Sequence, residues 1–482
     1  MYRQRFIAAS FAAFAAVASF DARESMAQAA GGSAGPDATG PAEGTVSLAE
    51  VAPELYFQLR RYPKFYGDPN TTEGGITERS QLLGSAGGLR DSLADSGFYV
   101  DVSVTQFLQG NLSGGVKDDE ARYNGTADYW VTFDSGKAGL WPGGAIFLHA
   151  ESSWQADKSI NVDTGSLVPP NYDATMPTPG ESEELALPEL YLVQALPDNW
   201  LLIAGKVDWA GLGDTNVLAN NEHTQFSYTG LVNNPILGAF IPYTSLGLGT
   251  VWAPSKAHQV AVIGIQSKGK ATSSGFDNFD GDYTFGVQYT YSMDLGDDRP
   301  GNYRVLAGYD TKDVTDFAID PRHLLGEILG LLPAAEKSSN RAVVLSIDQF
   351  LWTRGGGSVA GRKGQPPVGI GIFARAGWTP EDRNVIDQFY SLGIGGFGML
   401  IPGRDYDQWG IGWAGTHISD DLRDDAAFLT VDLNSFEHAV EAYYSFQLTP
   451  AVALTFNAQV IDSTVDSRDT AYTLGTRLQM DF

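Results

Sequence analysis

The sequence predicts an all-β protein, a transmembrane antiparallel β-barrel of about sixteen strands with a short N-terminal helical lead-in. Three observations predict it. Apolar and polar residues alternate with a period of two along most of the chain, as in Tyr472, Leu474, Thr476, Leu478, Met480 and Phe482 against Thr473, Gly475, Arg477, Gln479 and Asp481. The alternating runs are long enough for a tilted strand to cross a bilayer, which takes ~9–11 residues, whereas soluble strands average ~5–6. Short and long connections alternate between the runs, as they do between the two ends of an outer-membrane barrel.

Taken in order, the chain opens with an address. Arg3 and Arg5 precede the Ala-rich apolar run Phe6 to Phe20, and small residues follow at Ala27 and Ala29. Residues 1–27 read as a secretory signal peptide and 28–78 as a flexible N-terminal segment; the barrel domain is placed at 79–482. Ser80 to Ser96 carries Leu82, Leu83, Leu89 and Leu93 at partly helical spacing and reads as the lead-in. Strands are expected near 98–110, 125–134, 143–155, 187–196, 201–209, 244–253, 258–267, 282–295, 302–311, 341–352, 367–378, 388–399, 407–417, 436–448, 451–461 and 470–482. The long connections are 156–186, 210–243, 312–340 and 418–435, with a helix expected at 321–335; the connection 353–366 is long although it falls on the short side. Aromatic residues sit near the ends of the apolar faces, where a membrane interface would place them. No repeat of the propeller kind is visible.

Composition excludes several functions. The chain has 482 residues, no Cys and a formal net charge of −27, so disulfide frameworks, thiolate metal sites and a basic nucleic-acid-binding surface are excluded. Gly-x-Gly at Gly369 and Gly371 lies inside a strand and not at a strand-to-helix turn, so it is no phosphate loop. The histidines show no metal-ligand spacing. No catalytic residue, cofactor or metal is expected. The acidic excess has two readings: carboxylates in outer loops such as 117–120, 181–184 and 420–425 that bridge through cations to lipopolysaccharide, or an acidic lumen that favours cations.

Several motifs then converge. The segment Leu82 to Thr105 with Gly87, Gly88, Leu89 and Arg90, the turn Leu140 to Gly144, the stretch Gly371 to Asn384, Gly398 to Gly412, Glu441 to Ile461, and the closing GTRLQMDF together resemble the carbohydrate-selective porins of the OprB type, over roughly residues 79–482. The resemblance implies a single-chain sixteen-stranded barrel that passes small sugars, glucose among them, through the outer membrane of a Gram-negative cell. Residues 28–78 have no counterpart in it, and the loops 156–186 and 210–243 are this chain's own. Outer-membrane lipid, lipopolysaccharide and the barrel-assembly machinery, reading the terminal Phe482, are the expected partners, with the barrel as monomer or trimer. The alternatives are a general or cation-preferring porin, and a secreted all-β glycan-binding or hydrolytic protein.

Strand phase nominates lumen residues, because lumen-facing and lipid-facing positions alternate. On 368–378, Val368, Ile370, Ile372, Ala374, Ala376 and Trp378 face lipid, leaving Phe373 and Arg375 inside. On 201–209, Leu201, Ile203, Val207 and Trp209 face out, leaving Lys206 and Asp208 inside. The same rule turns Asp101, Glu441 and Arg477 inward; the phase of His149 and Glu151 is ambiguous. A sugar takes planar donors and carboxylates for its hydroxyls and aromatic rings for its apolar faces, so Arg375 with Phe373 is the first candidate contact. An ordinary wall charge paired with a carboxylate is the alternative for Arg375. Should 210–243 fold inward, it would bring Asn220, Asn221, Glu222, His223, Gln225, Phe226 and Tyr228 to the pore; 156–186 would bring Asn171, Tyr172 and Asp173.

Overall fold

The alternating runs form sixteen strands in a computed structural model, which describes residues 74–118, 120–276, 279, 281–296, 298–318, 321–354 and 366–482. The expected signal peptide and nearly all of the expected flexible segment lie outside the described residues, as does most of the connection 353–366.

The strands are β1 (Phe98–Ser113), β2 (Ala121–Asp134), β3 (Gly144–Trp154), β4 (Ala186–Leu196), β5 (Trp200–Val207), β6 (Ser245–Ser255), β7 (His258–Gln266), β8 (Tyr283–Asp294), β9 (Pro300–Thr315), β10 (Glu336–Thr353), β11 (Gly369–Trp378), β12 (Ile386–Phe397), β13 (Gln408–Ile418), β14 (Phe436–Thr449), β15 (Val452–Asp462) and β16 (Ala471–Asp481). Each pairs antiparallel with its sequence neighbours, and β1 pairs with β16 to close the barrel. Closure removes every sheet edge, so the whole backbone ladder is satisfied within the wall. Short helices lie between strands or ahead of them: α1 (Leu89–Asp95), α2 (Asn161–Thr164), α3 (Trp209–Gly213), α4 (Thr229–Val232), α5 (Pro235–Phe240), α6 (Pro321–Ile328) and α7 (Asp420–Phe428). Among the described residues no helix is long and apolar enough to cross a membrane.

The wall reads as the alternation predicts. On β16, Tyr472 and Leu474 are exposed on the outer face, while Thr473, Arg477 and Gln479 are buried inside. Outer aromatics gather near both ends. Trp200 stacks on Trp252 at 5.7 Å beside the short turns, and Trp378 meets Tyr390 edge-on at 6.0 Å toward the other end. The lead-in seals the seam of the barrel. Leu82 N donates to Asp481 O at 2.8 Å, Arg90 Nη2 to Phe482 O at 2.7 Å, and Phe482 N to Val102 O at 2.8 Å.

One stretch departs from its expected phase. Leu201 and Ile203 are 1% and 3% exposed and face inward, whereas Leu202 faces out. Lys206 pairs with outward-facing Leu190 and so belongs to the outer face, where its Nζ is capped by the carbonyls of Leu187, Ala271 and Ser273 at 2.7, 3.0 and 2.6 Å. Trp209 is not on a strand at all, since β5 ends at Val207 and Asp208 caps α3 through Oδ1 to Gly211 N at 2.8 Å. The sequence hides this phase because both faces of β5 are apolar, the inner one being covered by protein and not by water.

At the long-loop end, the connections are tied by charge. Asp382 accepts from Arg383 Nε at 2.8 Å and Lys337 Nζ at 2.7 Å, and Lys337 also reaches Asp316 at 2.9 Å. The hydrogen bond from Arg383, and then that from Lys337, hold the Asp382 carboxyl down to about 2 against its burial. A depressed folded-state pKa contributes stability that is present above the unfolded value of 3.8 and lost as pH falls through about 2. Pepsin digestion of the intact barrel is therefore expected to spare residues 316–335 at about pH 4 and to cut them only as pH nears 2, while Asp382→Asn is cut at both. Equal cutting of the unmodified protein at both pH values would remove this role.

Candidate functional site

A barrel wall of this size leaves a lumen, and two long connections fold into it. Residues 208–244 carry α3, α4 and α5; residues 155–185 carry α2. Irregular backbone inside a barrel must find hydrogen-bond partners there. The inner wall supplies them, chiefly from charged side chains.

Arg375 on β11 is the centre of this anchoring. Its Nε donates to Asp214 Oδ2 at 2.7 Å, Nη1 to Leu231 O at 3.3 Å, and Nη2 to Val232 O at 3.1 Å and to Ala219 O. The side chain has no solvent-accessible surface. Arg477 on β16 donates to Glu222 O at 2.5 Å and to Gln225 O. Arg304 on β9 joins Asp348 at 2.6 Å to Thr215 O at 2.9 Å. Where the folded-in segment turns its N–H groups to the wall, carboxylates meet them. Glu441 accepts from Ser227 N at 2.9 Å and Tyr228 N at 2.7 Å. Glu437 accepts from Leu167 N at 2.6 Å, Val168 N at 2.9 Å and Tyr228 Oη at 3.1 Å. The two folded-in segments also bind each other, Tyr172 N to Ser227 O at 2.8 Å and Thr229 N to Pro169 O at 3.0 Å.

Apolar contact completes the attachment. Phe226 and Phe373 meet edge-on at 5.5 Å, and Phe226 meets Tyr443 at 4.7 Å. Phe226, Tyr228 and Leu231 are fully buried, forming a core inside the barrel. Glycine on the inner wall makes room for it. A Cβ at Gly412 would lie 2.8 Å from the Leu231 side chain, and one at Gly410 would lie 2.8 Å from the rings of Phe226 and Tyr443.

The nominated residues therefore divide. Arg375, Phe373, Glu441 and Arg477 face inward from the wall and hold the folded-in segment, and Phe226 is the side chain of that segment that packs on Phe373. Asp101 also faces inward and accepts from Gln81 Nε2 of the lead-in at 2.6 Å. Asn221 Oδ1 shapes its own turn, accepting from His223 N and Thr224 N at 3.0 Å each. Glu222 approaches His223 Nε2 at 3.4 Å. Lys206 lies on the outer face, and Asp208 caps α3 while its N donates to Glu189 Oε1 at 3.0 Å.

What the segment leaves free is the wall beside the Arg304 anchor, away from those of Arg375, Glu441 and Arg477. A cavity of about 80 Å³ lies between α3 and the inner faces of β5 to β9. Trp209, Gln259, Gln288, Thr290 and Arg304 line it, over a floor opened by Gly249 and Gly286. The sequence analysis did not nominate Gln259, Gln288 or Arg304, although the same alternation turns them inward. Trp209 was assigned to lipid, and no local signal distinguishes it.

A model of the carbohydrate-selective porin, OprB family, matches residues 102–482. The chain belongs to this family. It is thus an outer-membrane porin for carbohydrates, a channel by family and fold. Among solved structures, Pseudomonas putida OprB at high pH is similar at a TM-score of 0.72 and 21% identity, covering 85% of this chain and 100% of that one. Pseudomonas putida OprB at low pH is similar at 0.51 and 16% identity, covering 84% and 99%. At these identities the likeness is one of fold. No curated protein matches the chain.

Arg375→Ala would leave Asp214 buried without its charged partner, a change of the kind that costs roughly 3–5 kcal/mol. The porin variant is expected to lose its folded gel mobility at a lower temperature and to conduct more, because the segment is released into a wider lumen. Unchanged mobility and conductance would show that Arg375 does not hold the segment.

Proposed function

We propose that the porin passes monosaccharides of the glucose type through the space between α3 and β5 to β9, with Trp209, Gln259, Gln288, Thr290 and Arg304 as the weak binding surface. The observation that carries this reading is the make-up of that cavity: an indole, two amides, three threonines and a guanidinium, set among the apolar side chains of Ile203, Leu212, Val251, Ala261, Ile263 and Leu306, around about 80 Å³. Amides and the guanidinium suit vicinal hydroxyls, and the indole suits the apolar face of a pyranose. Arg375, Phe373, Glu441 and Arg477 on the wall, with Phe226 of the segment packed on Phe373, act on this path from behind, by fixing how far the 208–244 segment intrudes.

Around this function, residues 1–27 are removed on export, and residues 28–78 precede the barrel in the mature protein. The exposed Leu, Val and aromatic residues of the outer face meet lipid. The acids of α7, at the long-loop end, meet lipopolysaccharide through divalent cations. Phe482, seated against Val102, is the group that the barrel-assembly machinery reads. A general porin without sugar preference is the competing reading.

Single-channel recording in planar bilayers separates the two. Glucose is expected to block the current saturably, and Gln288→Leu to raise the half-blocking concentration up to about tenfold, as expected for one lost hydrogen bond. Conductance that no sugar perturbs would leave a general porin. Mass spectrometry of the exported protein is expected to give Gln28 as the first residue; Met1 retained would overturn the leader.

A further inference from the structure

The inner wall carries a second cluster of titratable groups, apart from the sugar path just described. We propose that Asp128, His149 and Glu151, on facing positions of β2 and β3, bind a divalent cation of the Zn²⁺ class. The proposal goes beyond the sugar-porin reading and does not depend on it.

Register is the first argument. Asp128 and Glu151 are directly opposed across the β2–β3 ladder, and each is 3% exposed. Like charges opposed on neighbouring strands destabilise a sheet even at its surface, and buried charge requires compensation. Glu189 adds a third carboxylate, 3.3 Å from His149 Nδ1. No Lys or Arg is among the residues lining the cavity between these groups; its lining adds Asp173, Glu222 and His223. A divalent ion would balance this excess of carboxylate.

Geometry is the second argument. Ligand atoms of Asp128, His149 and Glu151 lie within 4.8 Å of one another, close enough for one ion to meet all three after small side-chain shifts. The cavity measures about 10 Å³, close to the room that one water-sized particle needs, about 10–15 Å³. Asp128 lines it and carries an orphan: its Oδ2 is buried and has no hydrogen-bond partner, although Oδ1 lies 2.9 Å from His149 Nε2. Buried carboxylate oxygens are seldom left so.

The surroundings fix the ligands as they are fixed in known metal sites. The His149 ring stacks on Trp130 at 3.6 Å and 4°. His149 Nδ1 lies 3.3 Å from Glu189 Oε2; with the ring proton carried on Nδ1 and turned to that carboxylate, Nε2 would be a lone pair toward the ion, the carboxylate–histidine–metal arrangement that orients ligands and raises their basicity. Tyr243 Oη donates to Glu151 Oε2 at 3.1 Å and so ties the end of the folded-in segment to a ligand. One imidazole nitrogen and two carboxylates suit Zn²⁺ better than Ca²⁺, which takes six to eight oxygens.

The test uses the full-length porin in detergent, stripped with chelator and titrated with Zn²⁺ by calorimetry and with Co²⁺ by visible absorption. One saturable equivalent per chain is expected, with an intense Co²⁺ band of a low-symmetry site. Asp128→Asn with Glu151→Gln should weaken binding at least about a hundredfold. His417→Ala, which alters a part-buried His–Asp contact away from the cluster, at 2.6 Å to Asp387, should leave it unchanged. Absence of saturable binding, or binding that survives the double substitution, would overturn the site. Should the double variant lack folded gel mobility, the unmodified protein decides: a Co²⁺ spectrum no different from the hydrated ion overturns the proposal.

Discussion

The interior of this barrel depends on one constraint: a stretch of irregular backbone, once inside the wall, must have its N–H and C=O groups met by something other than lipid or a neighbouring strand. The wall meets it with charge matched to polarity. Guanidinium groups at Arg375, Arg477 and Arg304 face carbonyls; carboxylates at Glu441 and Glu437 face N–H groups. Such contacts are stronger than neutral hydrogen bonds and hold their geometry, because the arginine fork is planar and each carboxylate accepts at two oxygens.

Packing follows from the anchoring. With the segment held against β10 to β16, the inner face there becomes a core, with Phe226, Phe373, Leu231 and Tyr443 buried and glycines of β13 recessed to admit them. The usual rule of barrels, apolar outside and polar within, is thereby suspended over part of the wall. Transport is left to the other side, where α3 faces β5 to β9. The segment serves as filler on one flank and as pore lining on the other, so changes at Arg375, Glu441 and Arg477 reach the path without touching a sugar.

The cluster at Asp128, His149 and Glu151 belongs to a third region, where both folded-in connections approach β2 and β3. Its groups come from three parts of the chain: the wall supplies Asp128, His149, Glu151 and Glu189, one connection supplies Asp173, and the other Glu222, His223 and Tyr243. A cation there would join wall and connections by charge, as the arginines do elsewhere.

By itself the sequence determined the barrel: the number of strands, their places to within a few residues, the inward turn of Arg375, Glu441 and Arg477, and the family. These are legible because a lipid-facing wall writes a period of two, and because membrane thickness sets the length of each run. It did not determine the phase of β5, whose two faces are both apolar, nor the helix that carries Trp209. Nor did it mark the cation cluster, although His149 and Glu151 are two apart on one strand face, because Asp128 joins them only across the ladder. Which wall charges are sealed and which face the path was decided by tertiary structure, through the fold of 208–244. That segment has no periodic pattern, and its position is set by partners as much as 255 residues distant in the chain.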